Sequence, residues 1–252
     1  MYKIGGINVI IAEDYQEMSL AGARIIAEQV RNKPGSVLGF ATGGTPEGLY
    51  GELVRMHREE GLDFSGVTTF NLDEYWPVQR SDSNSYYHYM REMLFDHINA
   101  SDKNINIPDG EAADAGAECV SYEKRIRAAG GIDLQLLGIG NNGHIAFNEP
   151  GDFFEPYTHV IDLTPETVNA NARFFENADA VPKKALTMGI QSVMSAKKLL
   201  FLASGAAKAA IIRETLTGKI RSQVPASVLR LHHDVTFALT ADAAAEIKQY
   251  IN

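Results

Sequence analysis

Cysteine is almost missing from this chain. Cys119 is the single one in 252 residues, so no internal disulfide can form and a reducing compartment is the expected setting. Long apolar runs are missing as well: no stretch approaches the roughly 20 residues that a bilayer-spanning helix requires. The segment from Met1 to Ala12 lacks the basic flank and small-residue cleavage site of a signal peptide, and a cytoplasmic location is expected. Basic charge is in deficit, with 32 acidic against 23 basic residues and a net charge of −9. Nucleic acid and anionic membranes both call for a basic surface, so neither is expected as a partner, whereas a small anion held by a few local bases stays compatible. No Pro/Gly-rich linker, internal repeat or low-complexity tract divides the chain, and neither a Walker phosphate loop nor a Gly-x-Ser-x-Gly elbow occurs. His232-His233 is followed by no spaced ligand, and His57, His88 and His97 fall in polar helical patterns, so no metal site is expected. Cys119 lies in a helical pattern and reads as a packing or surface thiol rather than a nucleophile.

What is present is a regular alternation of short apolar runs with amphipathic stretches, the pattern of an α/β domain with a mostly parallel β-sheet and helices on both faces. Strands are expected at Ile7–Ala12, Ser36–Ala41, Val67–Leu72, Ile132–Ile139, Lys198–Ala203 and Val235–Leu239. Helices are expected over Tyr15–Arg31, Pro46–Glu60, Ser85–His97, Gly116–Ala129, Ala206–Leu216 and Ala241–Tyr250. The run from Ile132 reads as buried on both faces. Residues 151–185 break the alternation, being acidic, aromatic and weakly periodic. They read as a lid insertion, loosely packed over a site, within one catalytic domain spanning 1–252.

Three segments carry chemistry just past apolar runs, where ligands collect in open α/β sheets. Thr42-Gly43-Gly44-Thr45-Pro46 follows a strand and opens a helix, with Thr45 placed as N-cap and Pro46 at the first helical position. Its glycines suit an anion approached by backbone N–H groups, although an ordinary strand–helix turn would read the same way. Ser204-Gly205-Ala206-Ala207-Lys208 is a second such turn, and Lys208 in the first helical turn opposes the macrodipole unless an anion sits there. Together the two turns favour phosphate binding over a solvated lysine and a bland loop. Asp73 and Glu74 end the third apolar run. Adjacent strand residues project to opposite sides, so at most one faces the cleft. A carboxylate there can move a proton between neighbouring carbons, though strand-end acids are also common turn formers. His144 lies in a turn flanked by Gly140 and Gly143, with Glu149 five residues on. Imidazole titrates near neutrality, and a carboxylate in reach would fix its tautomer.

Taken in order, Thr42-Gly43-Gly44-Thr45-Pro46, Phe70-Asn71-Leu72-Asp73-Glu74-Tyr75, Ser85-Tyr86-Tyr87, Gly143-His144-Ile145-Ala146-Phe147-Asn148-Glu149-Pro150, Asn171-Ala172-Arg173-Phe174-Phe175 and Val181-Pro182-Lys183-Lys184-Ala185-Leu186-Thr187 resemble the glucosamine-6-phosphate deaminase family. The resemblance runs along nearly the whole chain. It implies a single Rossmann-like domain and the conversion of glucosamine 6-phosphate and water to fructose 6-phosphate and ammonia. It also implies roles: His144 opens the pyranose ring, supported by Glu149 and Asn142, and Asp73 carries the proton from C2 to C1. Thr42, Gly43, Gly44, Thr45, Arg173 and Lys208 hold the phosphate. No metal and no organic cofactor is implied, and the partner is a small-molecule sugar phosphate. 6-Phosphogluconolactonases share the fold but resemble Asp-Glu-Arg and Ser-Leu-Phe-Pro where this chain has Asp73-Glu74-Tyr75 and Phe147-Asn148-Glu149-Pro150.

Two departures stand out. Some family members carry Asp where this chain has Asn142, and an amide can orient His144 by accepting a hydrogen bond but lends it no charge. Hexameric members carry a basic allosteric pocket after the catalytic glutamate and a longer C-terminal tail. Here Gly151-Asp152-Phe153-Phe154-Glu155-Pro156-Tyr157 is acidic and aromatic, and the sequence stops at Asn252. A monomer or small homo-oligomer is therefore expected, with hyperbolic substrate saturation. Steady-state rates with and without N-acetylglucosamine 6-phosphate check this; a sigmoidal curve relieved by that effector contradicts it.

Overall fold

A computed structural model of the chain describes residues 1–165, 167–168 and 181–251. Among these, eight strands build one sheet: β1 (Tyr2–Ile4), β2 (Ile7–Ala12), β3 (Val37–Phe40), β4 (Thr68–Asn71), β6 (Ile105–Asn106), β7 (Leu134–Leu137), β10 (Lys198–Ala203) and β11 (Val235–Thr240). Their order is β1-β2-β11-β10-β7-β3-β4-β6. Only β1 runs antiparallel, pairing with β2 across Gly5-Gly6. β7 is buried at all four positions, Gln135 included, as befits a central parallel strand covered on both faces. The helices α1 (Tyr15–Asn32), α2 (Glu47–Glu60), α3 (Tyr86–Met93), α4 (Ala115–Ala128), α5 (Ile190–Met194) and α6 (Ala209–Thr217) lie between and after the strands. The chain is an α/β domain with a mostly parallel central sheet.

After β3 the chain steps outward to β4 and β6, and after β7 it steps the other way to β10 and β11. Neighbouring strands whose connections diverge leave a crevice at their carboxyl ends. The opposite ends are clamped. Asp133, just before β7, accepts Lys33 Nζ at 2.6 Å, Lys197 Nζ at 2.8 Å and the Val37 amide at 2.8 Å. One buried carboxylate thus ties together the amino ends of β3, β7 and β10. Burial works to raise its pKa, but the bonds to Lys197, Lys33 and Val37 outweigh it and hold the group below the ordinary aspartate value.

Several expectations need correcting. Pro46 occupies the N-cap of α2 with no side-chain cap, so Thr45 lies one residue outside the helix rather than capping it. The expected helix from Ser85 to His97 breaks at Leu94 into α3 and a 3-10 turn, Phe95–His97. Ala241–Tyr250 is a run of turns closing in a 3-10 segment, Lys248–Tyr250, rather than a helix. Its alanines suit a helix, but the Thr240 hydroxyl bonds Asp242 at 2.5 Å and that carboxylate takes the Ala243 amide, a local pairing that competes with helix propagation. The 151–185 insertion is not loosely packed throughout. β8 (His159–Asp162) and β9 (Lys184–Thr187) lie within or at the end of it and join β5 (Asp73–Trp76) in an antiparallel sheet of order β5-β9-β8. Val168, Val181 and Ala185 are buried there.

Because the folded-state pKa of Asp133 is depressed, its stabilisation is present above the unfolded aspartate value and fades as pH falls through the folded one. Asp133→Ala is expected to cost about 1–3 kcal/mol at neutral pH, with the loss shrinking in acid. Denaturant titration at both pH values checks this.

Candidate active site

A cavity of about 840 Å³ opens at the carboxyl ends of the diverging strands. Its lining includes Thr42, Gly43, Gly44 and Thr45 after β3, Asp73 after β4, Asn142 and His144 after β7, and Lys208 after β10. Four crossovers of one sheet therefore bring most of the residues singled out in the sequence to one place.

Asp73 reaches this cavity through a change of sheet. Leu72 donates its amide to Phe40 in the large sheet at 3.0 Å and accepts the Met188 amide at 2.8 Å as the chain enters the small one. Asp73, opposite Thr187 at the head of β5, then faces the cavity, while Glu74 projects away from it. The alternation of a strand divides the two acids as expected. Asp73 is 6% exposed. Burial, and then the nearby Glu74 charge, push its pKa up to about 8.

The His144 turn depends on glycine. A Cβ at Gly140 would lie 2.2 Å from the imidazole, so only a glycine lets the ring rest against that backbone. The turn closes through Gly140 N–H to His144 O at 3.0 Å, and Ala146 is held at φ 51°, a left-handed conformation uncommon for alanine. The His144 Nδ1 stands 3.3 Å from Glu149 Oε2. Asn142 does not hold the ring. Its Nδ2 donates to Glu149 Oε2 at 2.6 Å and its Oδ1 accepts the His144 backbone amide at 3.2 Å. The amide thus orients the carboxylate and the turn, a correction to the expected bond to the imidazole. Thr167, which no pattern in its acidic surroundings singles out, donates its hydroxyl to Glu149 Oε1 and also lines the cavity. Burial opposes ionisation of Glu149, but His144 beside it, Thr167 and Asn142 hold its pKa below the ordinary glutamate value.

At the other side of the cavity, the carbonyls of the glycine turn are occupied. Tyr89 donates to Gly43 O at 2.7 Å, and Tyr15 donates to Gly44 O at 3.0 Å. Among the described residues the amides of Gly43, Gly44 and Thr45 have no protein acceptor, which is the state an anion site requires. Lys208 ends a 3-10 turn, Ala206–Lys208, and caps α6 rather than lying inside its first turn. Its Nζ donates to Ile139 O at 2.8 Å and Asn141 Oδ1 at 2.6 Å, which draws the ammonium to the loop that carries His144. Tyr75, Tyr86 and Phe147 form an aromatic wall, with Tyr86 stacked on Phe147 at 6.2 Å between centroids. Arg173 lies outside the described residues. His232 and His233 stack on each other, and His232 Nε2 sits 2.8 Å from Ala196 O, a packing arrangement away from the cavity. Among the described residues no three His, Cys, Asp or Glu side chains stand together as metal ligands would.

A buried carboxyl and a carboxylate-backed imidazole facing one crevice of an α/β sheet form the apparatus of a proton-transferring enzyme. Residues 13–238 match the family model of glucosamine-6-phosphate isomerases/6-phosphogluconolactonase, and the chain belongs to that family. A glucosamine-6-phosphate deaminase of Bacillus velezensis is 53% identical over 94% of this chain and 99% of its own length. One from Clostridium novyi is 49% identical over 96% of this chain and all of its own. A solved monomeric glucosamine-6-phosphate deaminase superposes with TM-score 0.93 at 49% identity, covering 95% of this chain and 100% of that one. The 6-phosphogluconolactonase of Trypanosoma cruzi, at 21% identity and TM-score 0.77 over 98% of this chain and 99% of its own, shares the fold.

The raised pKa of Asp73 carries a stability cost with a defined sign. Its folded value lies above the unfolded one, so its contribution is fully present below the unfolded aspartate pKa and is lost as pH rises toward about 8. Asp73→Asn is expected to raise Tm relative to the parent by several degrees near that upper limit and little near pH 4. Melting curves across the range check it; a constant Tm difference contradicts it.

Proposed function

We propose that this protein is a glucosamine-6-phosphate deaminase, converting glucosamine 6-phosphate and water to fructose 6-phosphate and ammonia in amino-sugar catabolism. The observation that carries this reading is that Asp73 and the Glu149-backed His144 line the same cavity, which the glycine turn also lines. The ring-opening step needs a proton taken from the C1 hydroxyl and one returned to the ring oxygen. His144 does both, and ionised Glu149 fixes its orientation and stabilises the imidazolium between the two transfers. Asn142 and Thr167 hold Glu149 in turn.

In the open aldehyde Asp73 takes the proton from C2, giving the enolate form of the enolamine with the charge on O1, and delivers it to C1. One amine proton then passes to O1, leaving a C1 hydroxyl and an imine at C2. Water adds to the imine carbon and ammonia leaves, so the ketose forms without net oxidation. Asp73 suits this step because burial makes its carboxylate a stronger base than an exposed one, near the pH at which it works. The open amides of Gly43, Gly44 and Thr45, with Thr42, Lys208 and Arg173, bind the phosphate. Binding there orients C1 and C2 without entering the chemistry. In the same reading the described part of the 151–185 segment, through Thr167, closes one side of the cavity, the chain acts as one catalytic domain, and it works as a monomer or small oligomer in the cytoplasm. The solved relative is monomeric. Cys119, buried with its pKa pushed up to about 11 by burial, fits a reducing compartment.

Lactone hydrolysis, the other activity in the family's description, leaves Asp73 without a task, because no proton moves between carbons. Tyr75, at the third position of Asp73-Glu74-Tyr75, is committed to the aromatic wall. Ammonia release from glucosamine 6-phosphate is expected, with negligible hydrolysis of 6-phosphogluconolactone. Asp73→Asn is expected to lower kcat by about 100-fold or more. The galactosamine epimer, assayed alongside, fixes the sugar preference. Lactone turnover without ammonia release overturns the reading.

A further inference from the structure

Glu74 has no part in the chemistry above, yet it is 2% exposed and one residue from Asp73. Its Oε1 accepts the Tyr75 amide at 2.8 Å and the Tyr86 amide at 2.9 Å, and its Oε2 accepts the Tyr87 amide at 2.8 Å. Tyr86 and Tyr87 are the first two residues of α3, whose N–H groups have no partner within the helix. Ser85 Oγ takes the third, from His88, at 3.0 Å. We propose that Glu74 is a positioning residue for the deamination, a staple that fastens the start of α3 to β5 and so fixes the cavity wall around Asp73.

Two contacts pass this constraint to the cavity. Tyr86, the first residue of α3, lies against Tyr75 at 4.8 Å and Phe147 at 6.2 Å in the aromatic wall. Tyr89, one turn on, holds Gly43 O and with it the glycine turn. The same carboxylate also sets the field at Asp73. After burial, its charge is what raises the Asp73 pKa, a charge present once the pH passes about 7, to which burial lifts Glu74 itself against its three amide bonds. The other titratable groups facing the pair do not replace that charge. Tyr50 on α2, Tyr86 on α3 and Tyr122 on α4 are kept neutral, each pushed up chiefly by burial. Asp82 faces Glu74 from the turn before α3. Across a small cleft behind β5, Arg80 pairs with Asp109 and Arg125 with Glu118. His144 and Lys208 lie in the main cavity.

Amide hydrogen exchange and pH–rate profiles test the staple, which rests on the proposed chemistry of Asp73. In the parent protein the Tyr86 and Tyr87 amides should exchange slowly; unprotected rates there overturn the inference with no turnover measured. Glu74→Gln removes the charge and one acceptor. The expected result is a loss of about tenfold in kcat and a shift of the Asp73 limb toward acid by about half a pH unit or more. Glu74→Asp keeps the charge on a shorter arm. Faster exchange at Tyr86 or Tyr87 and a several-fold lower kcat are expected, with the limb unmoved. Parental kcat and parental limb in Glu74→Gln overturn the proposal. Should that variant not fold, parental kcat and exchange in Glu74→Asp overturn it instead. Absence of ammonia release by the parent protein removes the chemistry, whereas unprotected amides remove the staple.

Discussion

The site depends on one covalent constraint: the chain leaves the large sheet and enters the small one across a single residue, Leu72. Its amide belongs to the first sheet and its carbonyl to the second. Asp73 is therefore held between two rigid hydrogen-bonded systems rather than carried on a loop, and its carboxyl has little freedom to turn toward water. That is why it is buried, and why its proton affinity is raised. The same seam brings β9 alongside, so that Thr187 opposite Asp73 can take the Phe147 amide and Met188 can take the Asn148 side chain. The turn bearing His144 and Glu149 is in this way tied to the strand bearing Asp73.

Much of this was legible in the residues, and the exceptions have physical causes. Most of the parallel strands announce themselves as short runs rich in apolar or β-branched residues between turn formers, and β10 falls at its expected bounds, whereas β6, only two residues long, leaves no such run. Reactive side chains at the ends of those runs could be picked out for the same reason. The small sheet was not legible. Asp73–Trp76 and His159–Asp162 are short and charged, and they are paired through residues more than a hundred positions apart in sequence in the case of Asp73 and Thr187. Pairing over such distance leaves no local period to read. β1 was missed because three residues before Gly5-Gly6 make too short a run to register.

Within the site, position was easier to read than partnership. That Asp73 and Glu74 divide between two sides follows from strand geometry alone. That Glu74 would meet the start of α3, or that Thr167 would meet Glu149, follows only from tertiary folding. Asn142 shows the same limit: the family resemblance implies that its amide orients the imidazole, but the tight turn gives its oxygen to the backbone and its nitrogen to Glu149. The same turn is tightly constrained, with Ala146 in a left-handed conformation and no room for a side chain at Gly140.

The aspartate clamp on Lys33, Lys197 and Val37 sits at the pole of the sheet opposite the reactive groups. Cohesion and reactivity are thereby lodged in separate sets of residues. A change in the loops at the reactive pole therefore leaves the clamp's contacts untouched, so the scaffold's cohesion does not depend on which side chains those loops present.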